Sequence, residues 1–248
     1  MYQFFVDPQQ VEEKQIRIEG SDVNHIGNVL RMKPGEKIRI SDGTGKSYFC
    51  HIREIHPQLV LADIDEADRT GTELPLEVTL YQGLPKSDKM ELIIQKAVEL
   101  GASRIVPVSM KNCVAKLDEK KAVGRVQRWQ AIAESAAKQS KRTKIPEVAL
   151  PMNWKQALAQ AGDLDLVIVP YENERGMEAT REAIASMRGM ARVGIMIGPE
   201  GGFADSEIAM VDDRYPQMKR VSLGKRILRT ETAGLAALAM MIYELENE

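Results

Sequence analysis

The sequence predicts an α/β protein in which a small β-rich domain, residues 1–70, precedes a larger domain, residues 71–248, with a mostly parallel sheet. Short segments of alternating apolar and polar residues dominate the first domain, as in half-buried strands. Beyond residue 75, apolar strand-like segments alternate with segments long enough for helices, a pattern typical of a parallel sheet covered on both faces. The polar stretch 66–75 separates the two patterns and marks the domain boundary.

In the first domain, the clearest local feature is a predicted hairpin. Strands at 37–41 and 47–52 flank the glycine-containing turn at 42–46 (DGTGK), which favours a tight reversal of the chain. The other predicted elements are strands at 15–18 and 58–64 and a short helix at 24–32, which ends before Pro34 and Gly35.

In the second domain, predicted strands and helices alternate. Residues 88–100, for example, carry apolar side chains at helical spacing and stop at Gly101. The predicted strands cover residues 76–82, 104–109, 164–169, 192–198 and 219–223, and the predicted helices cover 88–100, 119–139, 154–161, 177–187 and 230–245, with a further helix that begins at 205.

The charge of the chain is unevenly distributed. The formal net charge of the 248 residues is only −2, but residues 111–146 carry ten Lys or Arg against three Asp or Glu. Residues 219–231 carry five basic side chains against the single Glu231. A chain that is neutral overall and basic in two segments fits local contact with nucleic acid. The alternative is that these charges solvate a helix face.

Several classes of protein are disfavoured by the composition. Cys50 and Cys113 are far apart in sequence and predict free thiols in a reducing compartment. The three histidines form no cluster with metal-ligand spacing, and the longest apolar run, 233–242, is too short to span a bilayer. The N-terminal residues lack the pattern of a secretory signal. We therefore expect a cytoplasmic protein that binds neither a metal nor a membrane.

Two glycine-rich turns, 197–203 (IGPEGGF) and 223–233 (LGKRILRTETA), each lie between a predicted strand and a predicted helix. Because the carboxyl ends of parallel strands share one edge of a sheet, the turns predict a crevice suited to a nucleotide-like cofactor. Glycine lets the main chain approach a ligand closely, and apolar side chains can hold an adenine ring. The candidate residues are Ile197, Gly198, Pro199, Gly201, Gly202, Leu223, Gly224, Ile227 and Leu228.

The glycine-rich turns also admit other interpretations. A single motif of this kind also fits an ordinary tight turn between a strand and a helix. Neither turn contains the Gly-x-Gly-x-x-Gly pattern of dinucleotide sites. The Gly-Lys-Ser run at 45–47 is not a P-loop, because Ile40 stands where the earlier glycine would be and the run lies between two strands.

The two turns resemble the paired motifs of the RsmE family, in the SPOUT class of S-adenosylmethionine-dependent RNA methyltransferases. The segments 86–101, 138–146 and 25–35 add to the resemblance in the same order along the chain. The resemblance implies a PUA-like RNA-binding β domain at the N-terminus and a SPOUT-type α/β domain with a deep trefoil knot at about 192–240. It also implies S-adenosylmethionine as cofactor, a homodimer, and methylation of N3 of a uridine in 16S ribosomal RNA of the small subunit. Further cofactor contacts that the resemblance implies are Thr232 and Ala233 in the second turn and Tyr171 in the strand end 169–172, where the alternative for Tyr171 is a packing role.

For methyl transfer to uridine N3, the candidate catalytic residues are Arg229 and Glu231. An arginine can stabilise the negative charge that develops as N3 loses its proton, and a carboxylate can accept that proton or orient the base. An acidic residue at the start of a helix is also expected from the helix dipole alone. Thr230 or Thr232 could equally be a helix cap.

The target uridine must be single-stranded or flipped out, because pairing engages its N3. We expect Gln139 and Arg142 in the basic segment 138–144, and Arg31 and Lys33 in the first domain, to contact the RNA. Each of them could instead be a solvated surface residue. The alternatives to the enzyme are a non-catalytic RNA-binding or ribosome-assembly protein and a SPOUT methyltransferase for another RNA position.

Overall fold

The computed structural model describes residues 1–69, 71–115 and 119–246, without the side chains of residues 119–120 and 212–214. The chain forms two compact units. The first unit comprises Met1–Glu73 and Ala137–Ile145, and the second comprises Leu74–Ala136 and Pro146–Glu248. The segment Ala137–Ile145, which the predicted boundary assigns to the second domain, therefore packs as part of the first unit.

The first unit contains a five-stranded sheet in the order β1-β3-β4-β5-β2. β1 runs parallel to β3, and the other neighbouring pairs are antiparallel. The predicted hairpin is confirmed, because Ser41 pairs with Ser47 across the turn between β3 and β4. The strands are β1 (Tyr2–Phe5), β2 (Gln15–Ile18), β3 (Lys37–Ser41), β4 (Ser47–Ile55) and β5 (Val60–Asp68).

The alternation of apolar and polar side chains along each strand explains which residues form the core of this sheet. Ile16 and Ile18 are buried, whereas Arg17 between them is exposed. The isoleucines of β3 join the same core. The helix predicted at 24–32 begins and ends three residues earlier, as α1 (Ser21–Asn24) followed by a π-helical turn over His25–Val29.

A dense set of hydrogen bonds attaches Ala137–Ile145 to the rest of the first unit. The Nε2 of Gln3 donates to the carbonyl of Arg142 at 2.6 Å. The Arg142 side chain is ion-paired with the carboxylate of Glu73, which also accepts the backbone amides of Thr143 at 2.8 Å and Lys144 at 3.2 Å. Arg142 is only 3% exposed, so this pair is a buried structural contact.

The second unit contains a parallel sheet of seven strands. The order is β12-β10-β11-β6-β7-β8, with β9 paired to β7 beside β8. The short strands β8 and β9 were not predicted. The strands are β6 (Glu77–Gly83), β7 (Arg104–Ser109), β8 (Glu147–Val148), β9 (Met152–Asn153), β10 (Leu166–Pro170), β11 (Arg192–Ile197) and β12 (Met218–Val221).

Helices pack against this sheet. Leu80 and Tyr81, on opposite faces of β6, are both buried, as expected for a strand covered on both sides. The parallel α/β fold is confirmed, and the knot at about 192–240 stays a prediction. The helices are α2 (Lys89–Glu99), α3 (Glu119–Gln139), α4 (Trp154–Ala161), α5 (Glu178–Ala185), α6 (Asp205–Arg214) and α7 (Thr230–Leu245). Across the described part of the chain, no helix is both long and apolar enough to cross a membrane.

Removing the carboxylate of Glu73 is expected to destabilise the first unit. Burial raises the pKa of Glu73, but the hydrogen bond and charge of Arg142 and the two backbone amides outweigh it and hold that pKa below its usual value. A folded-state pKa below the unfolded one gives stability that is present at neutral pH and lost as pH falls through the folded pKa. Glu73→Gln should therefore cost about 3 kcal/mol at pH 7, and the difference from wild type should shrink in acid.

Chemical denaturation of the full chain at several pH values measures this effect. The matched control is Glu54→Gln, because the Glu54 side chain is 49% exposed and pairs only at the surface. That change should cost less than about 1 kcal/mol. Equal losses in the two variants would contradict a structural role for the Glu73–Arg142 pair.

Candidate active site

The first glycine turn, residues 198–202, follows β11 at the carboxyl edge of the sheet. The backbone amide of Gly202 donates to the carbonyl of Pro199 at 2.9 Å, and Gly202 has φ +67°, a conformation that favours glycine. Asn112, in the loop after β7, donates its Nδ2 to the carbonyls of Gly201 at 3.0 Å and Gly202 at 3.2 Å. The Asn112 side chain, which is not among the residues predicted from the sequence, thus stabilises the turn.

A close backbone approach joins this turn to the end of β6. A Cβ added to Gly83 would lie 2.6 Å from the nitrogen of Pro199 and 2.9 Å from the carbonyl carbon of Gly198. Both of these atoms belong to the backbone, so neither can move aside cheaply. The position therefore requires glycine, and Pro199 is held in a buried position.

A hydrogen-bond chain connects the start of α7 to the first turn. The hydroxyl of Thr230 donates to the carbonyl of Gly198 at 2.6 Å and accepts the Nε2 of Gln82 at 2.8 Å. Gln82 is 0% exposed and Thr230 is 5% exposed, so water cannot easily replace these bonds. The sequence predicts Thr230 as a possible cap and gives no role to Gln82, although a glutamine among the apolar residues of a predicted central strand is a signal of a buried polar contact.

The second turn, residues 222–229, follows β12, which lies beside β10 in the same sheet. The hydroxyl of Ser222 accepts the amide of Gly224 at 3.2 Å, and its carbonyl accepts the hydroxyl of Thr180 at 2.7 Å. Within the described residues, the backbone amides and carbonyls of Leu223, Ile227 and Leu228 have no hydrogen-bond partner. These groups are available to the polar edge of a ligand.

The predicted apolar lining of this turn is only partly enclosed. Leu223 and Leu228 are half-buried, whereas Ile227 is 85% exposed. Thr232 and Ala233, on the first turn of α7, donate their amides to the carbonyl of Arg229 at 2.8 and 2.9 Å.

The end of β10 brings Tyr171 to the same edge. Its backbone amide donates to the carbonyl of Val221 at 3.0 Å, and its half-buried side chain accepts the Nδ2 of Asn173 at 2.8 Å. Glu172 lies beside the first turn, with its Oε1 at 3.4 Å from the position of a Cβ on Gly202. The ends of three neighbouring strands thus meet at one edge. The sequence predicts this for the two glycine turns, and the family resemblance implies it for Tyr171.

A charged cluster stands next to both turns. The ammonium of Lys89, the first residue of α2, lies 3.1 Å from Oε2 of Glu231 and 3.2 Å from Oε1 of Glu200. Burial raises the pKa of Glu231, but its own backbone amide and the Lys89 ammonium outweigh it, so that pKa lies below its usual value. Glu231 is therefore ionised at neutral pH.

Arg229, the residue that precedes α7, is exposed. Among the described residues, none forms an ion pair with it. Its guanidinium also contributes to the low pKa of Glu231. The two candidate catalytic residues thus lie on either side of Thr230. Arg229 is available to a ligand, whereas Glu231 is already paired with Lys89.

The four candidate RNA contacts all lie in the first unit. Arg31, Lys33 and Gln139 are exposed. Arg142 differs, because its guanidinium is buried against Glu73 and is not available at the surface. A basic run in the sequence does not reveal which of its cations is buried. In the described residues, no group of three or more His, Cys, Asp or Glu side chains could hold a metal ion.

Comparison with known proteins defines the class of this fold and site. Residues 72–242 match the family of RNA methyltransferase domains, and residues 18–65 match the family of RNA methyltransferase PUA domains. The second unit thus has the fold of an RNA methyltransferase domain, and the predicted PUA-like domain is confirmed.

The similarity extends over the whole chain. Ribosomal RNA small subunit methyltransferase E of Bacillus subtilis is 37% identical over 254 aligned positions, which cover 99% of this chain and 98% of the relative. The protein of the same name from Neisseria gonorrhoeae, solved with S-adenosyl methionine bound, is 32% identical, with a TM-score of 0.83 and coverage of 98% and 97%. A protein from Legionella pneumophila, solved with its cofactor SAM, is 28% identical, with a TM-score of 0.84 and the same coverage. The chain belongs to the ribosomal RNA small subunit methyltransferase E family, as the resemblance of its motifs predicts.

Loss of the Thr230 hydroxyl is expected to destabilise the second unit. Thr230→Val keeps the shape of the side chain but leaves the Nε2 of the buried Gln82 without this acceptor and the carbonyl of Gly198 without this donor, at a cost of about 1–3 kcal/mol. Thr230→Ser retains the hydroxyl and should cost less than half as much. Urea denaturation of both variants tests the prediction, which fails if valine and serine are equally destabilising.

Proposed function

We propose that this protein is an S-adenosylmethionine-dependent methyltransferase that methylates N3 of a uridine in 16S ribosomal RNA of the small subunit. Family membership supports ribosomal RNA as the substrate class, and the relatives solved with S-adenosylmethionine support the cofactor. The observation that carries the proposal is the pair of turns at one sheet edge, joined through Thr230, with unbonded backbone groups on the second turn.

The residues present fit this cofactor. The unbonded backbone groups of Leu223, Ile227 and Leu228 can bond the edge of an adenine. A Cβ added to Gly224 would meet no atom within 4 Å, so a ligand has room to approach the main chain at this position. When bound, the cofactor supplies an electrophilic methyl group on a sulfonium. The residues proposed to hold it are Tyr171, Ile197, Gly198, Pro199, Gly201, Gly202, Leu223, Gly224, Ile227, Leu228, Thr232 and Ala233.

Arg229 and Glu231 are proposed to act on the uracil ring. N3 of uridine is a weak acid, so its methylation requires removal of a proton and stabilisation of the negative charge. The exposed guanidinium of Arg229 can hydrogen-bond a carbonyl oxygen of the base. The ionised carboxylate of Glu231 can accept the N3 proton. The position of Glu231 in the first turn of α7 also suits the helix dipole, so its catalytic role needs a test of its own.

The exposed residues Arg31, Lys33 and Gln139 are proposed to bind the RNA. A uridine presented to Arg229 must be unpaired, because base pairing occupies N3. Contacts to phosphates then hold the strand while the base leaves the stack.

A cytoplasmic homodimer completes the proposal. Tyr243 on α7 is 73% exposed and Leu92 on α2 is 46% exposed, and exposed apolar side chains of this size suit an interface between two copies. Analytical ultracentrifugation of the purified protein checks the dimer.

Methylation of small subunits isolated from cells that lack the protein tests the proposed function. Incubation with the purified protein and S-adenosylmethionine should add 3-methyluridine to 16S ribosomal RNA, as measured by nucleoside mass spectrometry. A different methylated nucleoside would assign the enzyme to another RNA position. Absence of cofactor binding in calorimetry would instead favour a non-catalytic RNA-binding protein.

Arg229→Ala is expected to reduce kcat by about 100-fold, because charge stabilisation in the transition state is lost. The affinity for S-adenosylmethionine should change by less than about threefold, since the side chain acts on the base and not on the cofactor. Arg181→Ala, an exposed position on α5, is the matched control and should retain wild-type kcat. Equal losses of kcat and cofactor affinity in Arg229→Ala would instead place Arg229 in the cofactor site.

A further inference from the structure

One ammonium group joins three separate segments of the second unit. Lys89 begins α2, Glu200 belongs to the first glycine turn, and Glu231 lies in the first turn of α7. The Nζ of Lys89 lies 3.2 Å from Oε1 of Glu200 and 3.1 Å from Oε2 of Glu231. Two carboxylates therefore share one cation beside the proposed cofactor turns.

This cluster is more enclosed than an ordinary surface ion pair. The side chains of Lys89, Glu200 and Glu231 are 28%, 26% and 19% exposed. Glu200 has a second anchor, because its carboxylate accepts the backbone amide of Lys86 at 3.1 and 3.3 Å. Since Lys86 holds Glu200 independently, the shape of the first turn does not depend on Lys89 alone.

The charges around Glu231 determine its protonation state. Its neighbours are the Lys89 ammonium from α2, the Arg229 guanidinium before α7, and the Glu200 carboxylate on the far side of Lys89. Burial raises the pKa of Glu231, but its own backbone amide and these two cations outweigh burial, so the carboxylate is in the ionised form that can receive a proton. The hydrogen bond to Glu231 raises the pKa of Lys89, although burial opposes it, so Lys89 stays charged and cannot be the acceptor.

We propose that Lys89 is a positioning residue for methyl transfer, which holds the carboxylate of Glu231 ionised and in a fixed orientation to receive the N3 proton of the target uridine. In that step N3 forms a bond to the methyl carbon, the bond from this carbon to sulfur breaks, and its electron pair stays on sulfur. The N3 proton passes to Glu231 and from there to water. The inference rests on the proposed function, because it assigns a role within that reaction.

Titration of Glu231 tests the pairing without any RNA. Protein labelled with ¹³C at the glutamate carboxyl carbon gives a signal for Glu231, assigned by its loss in Glu231→Gln. In Lys89→Met, which keeps the length of the side chain but removes the charge, the Glu231 midpoint should move to higher pH. Lys89→Arg should restore the wild-type midpoint. The control is Lys96→Met, since Lys96 pairs with Glu99 on the same helix and should leave Glu231 unchanged.

The pH dependence of single-turnover methylation tests the role in the reaction. A deprotonated acceptor gives a rate that falls in acid, so the acidic limb of Lys89→Met should move to higher pH with the Glu231 midpoint. At pH 7, Lys89→Met should be slower by about tenfold, because a fixed proton acceptor is lost. Its affinity for S-adenosylmethionine should stay within about threefold of wild type, and Lys89→Arg should recover most of the rate.

The outcomes separate this inference from the function on which it rests. If the Glu231 midpoint in Lys89→Met equals that of the wild type, the inference is overturned whatever the activity. The same holds if the wild type methylates RNA and the acidic limb of Lys89→Met does not move. If the wild type makes no 3-methyluridine, the proposed function is wrong and the role of Lys89 in that reaction is wrong as well. The titration still shows whether Lys89 and Glu231 are paired.

Discussion

The proposed active site depends on the hydrogen bond between the Thr230 hydroxyl and the carbonyl of Gly198. Thr230 is the first residue of α7, and Gly198 follows β11, so this bond ties the helix that carries Glu231 to the turn that is proposed to hold the cofactor. Gln82 supports it from β6, where it is enclosed between the sheet and α7. β6, the first glycine turn and α7, which are far apart in sequence, are thereby held in one arrangement. A ligand that binds at either turn therefore contacts a surface that is already formed.

Much of the fold could be predicted from the sequence, because the spacing of apolar residues along a strand or helix indicates which side chains are buried. Isoleucines separated by one residue identified β2 and β3, and long apolar segments identified the central strands of the parallel sheet. The glycine turns were visible for a similar reason, since glycine is needed where backbone segments approach closely. β1 escaped prediction because Gln3, a polar residue, is buried within it and finds its partners in distant parts of the chain.

The charged residues were harder to predict, because their roles depend on partners far away in sequence. Arg142 lies in a basic run and has the composition of a surface residue, yet it is buried against a carboxylate 69 positions earlier. Lys89 and Glu231 are 142 positions apart, and nothing in either local motif indicates that they meet. Asn112 likewise contacts a turn that lies 89 positions further along. Only the topology of the sheet brings such pairs together.

The discontinuous composition of the first unit has a consequence for how the chain is made. Its sheet is encoded before residue 70, but the second segment of the unit, which bonds Gln3, Arg39 and Glu73, ends at Ile145. During translation the sheet emerges while Glu73 lacks Arg142 and Gln3 lacks the carbonyl of Arg142, although Gln3 already has partners in Ser41 and Arg39. The groups that await Arg142 stay hydrated until roughly twice as much chain has been synthesised. Completion of the first unit is therefore a late event in the biogenesis of this protein, and an isolated fragment that ends at residue 73 would lack the hydrogen bonds that join Gln3, Arg39 and Glu73 to Ala137–Ile145.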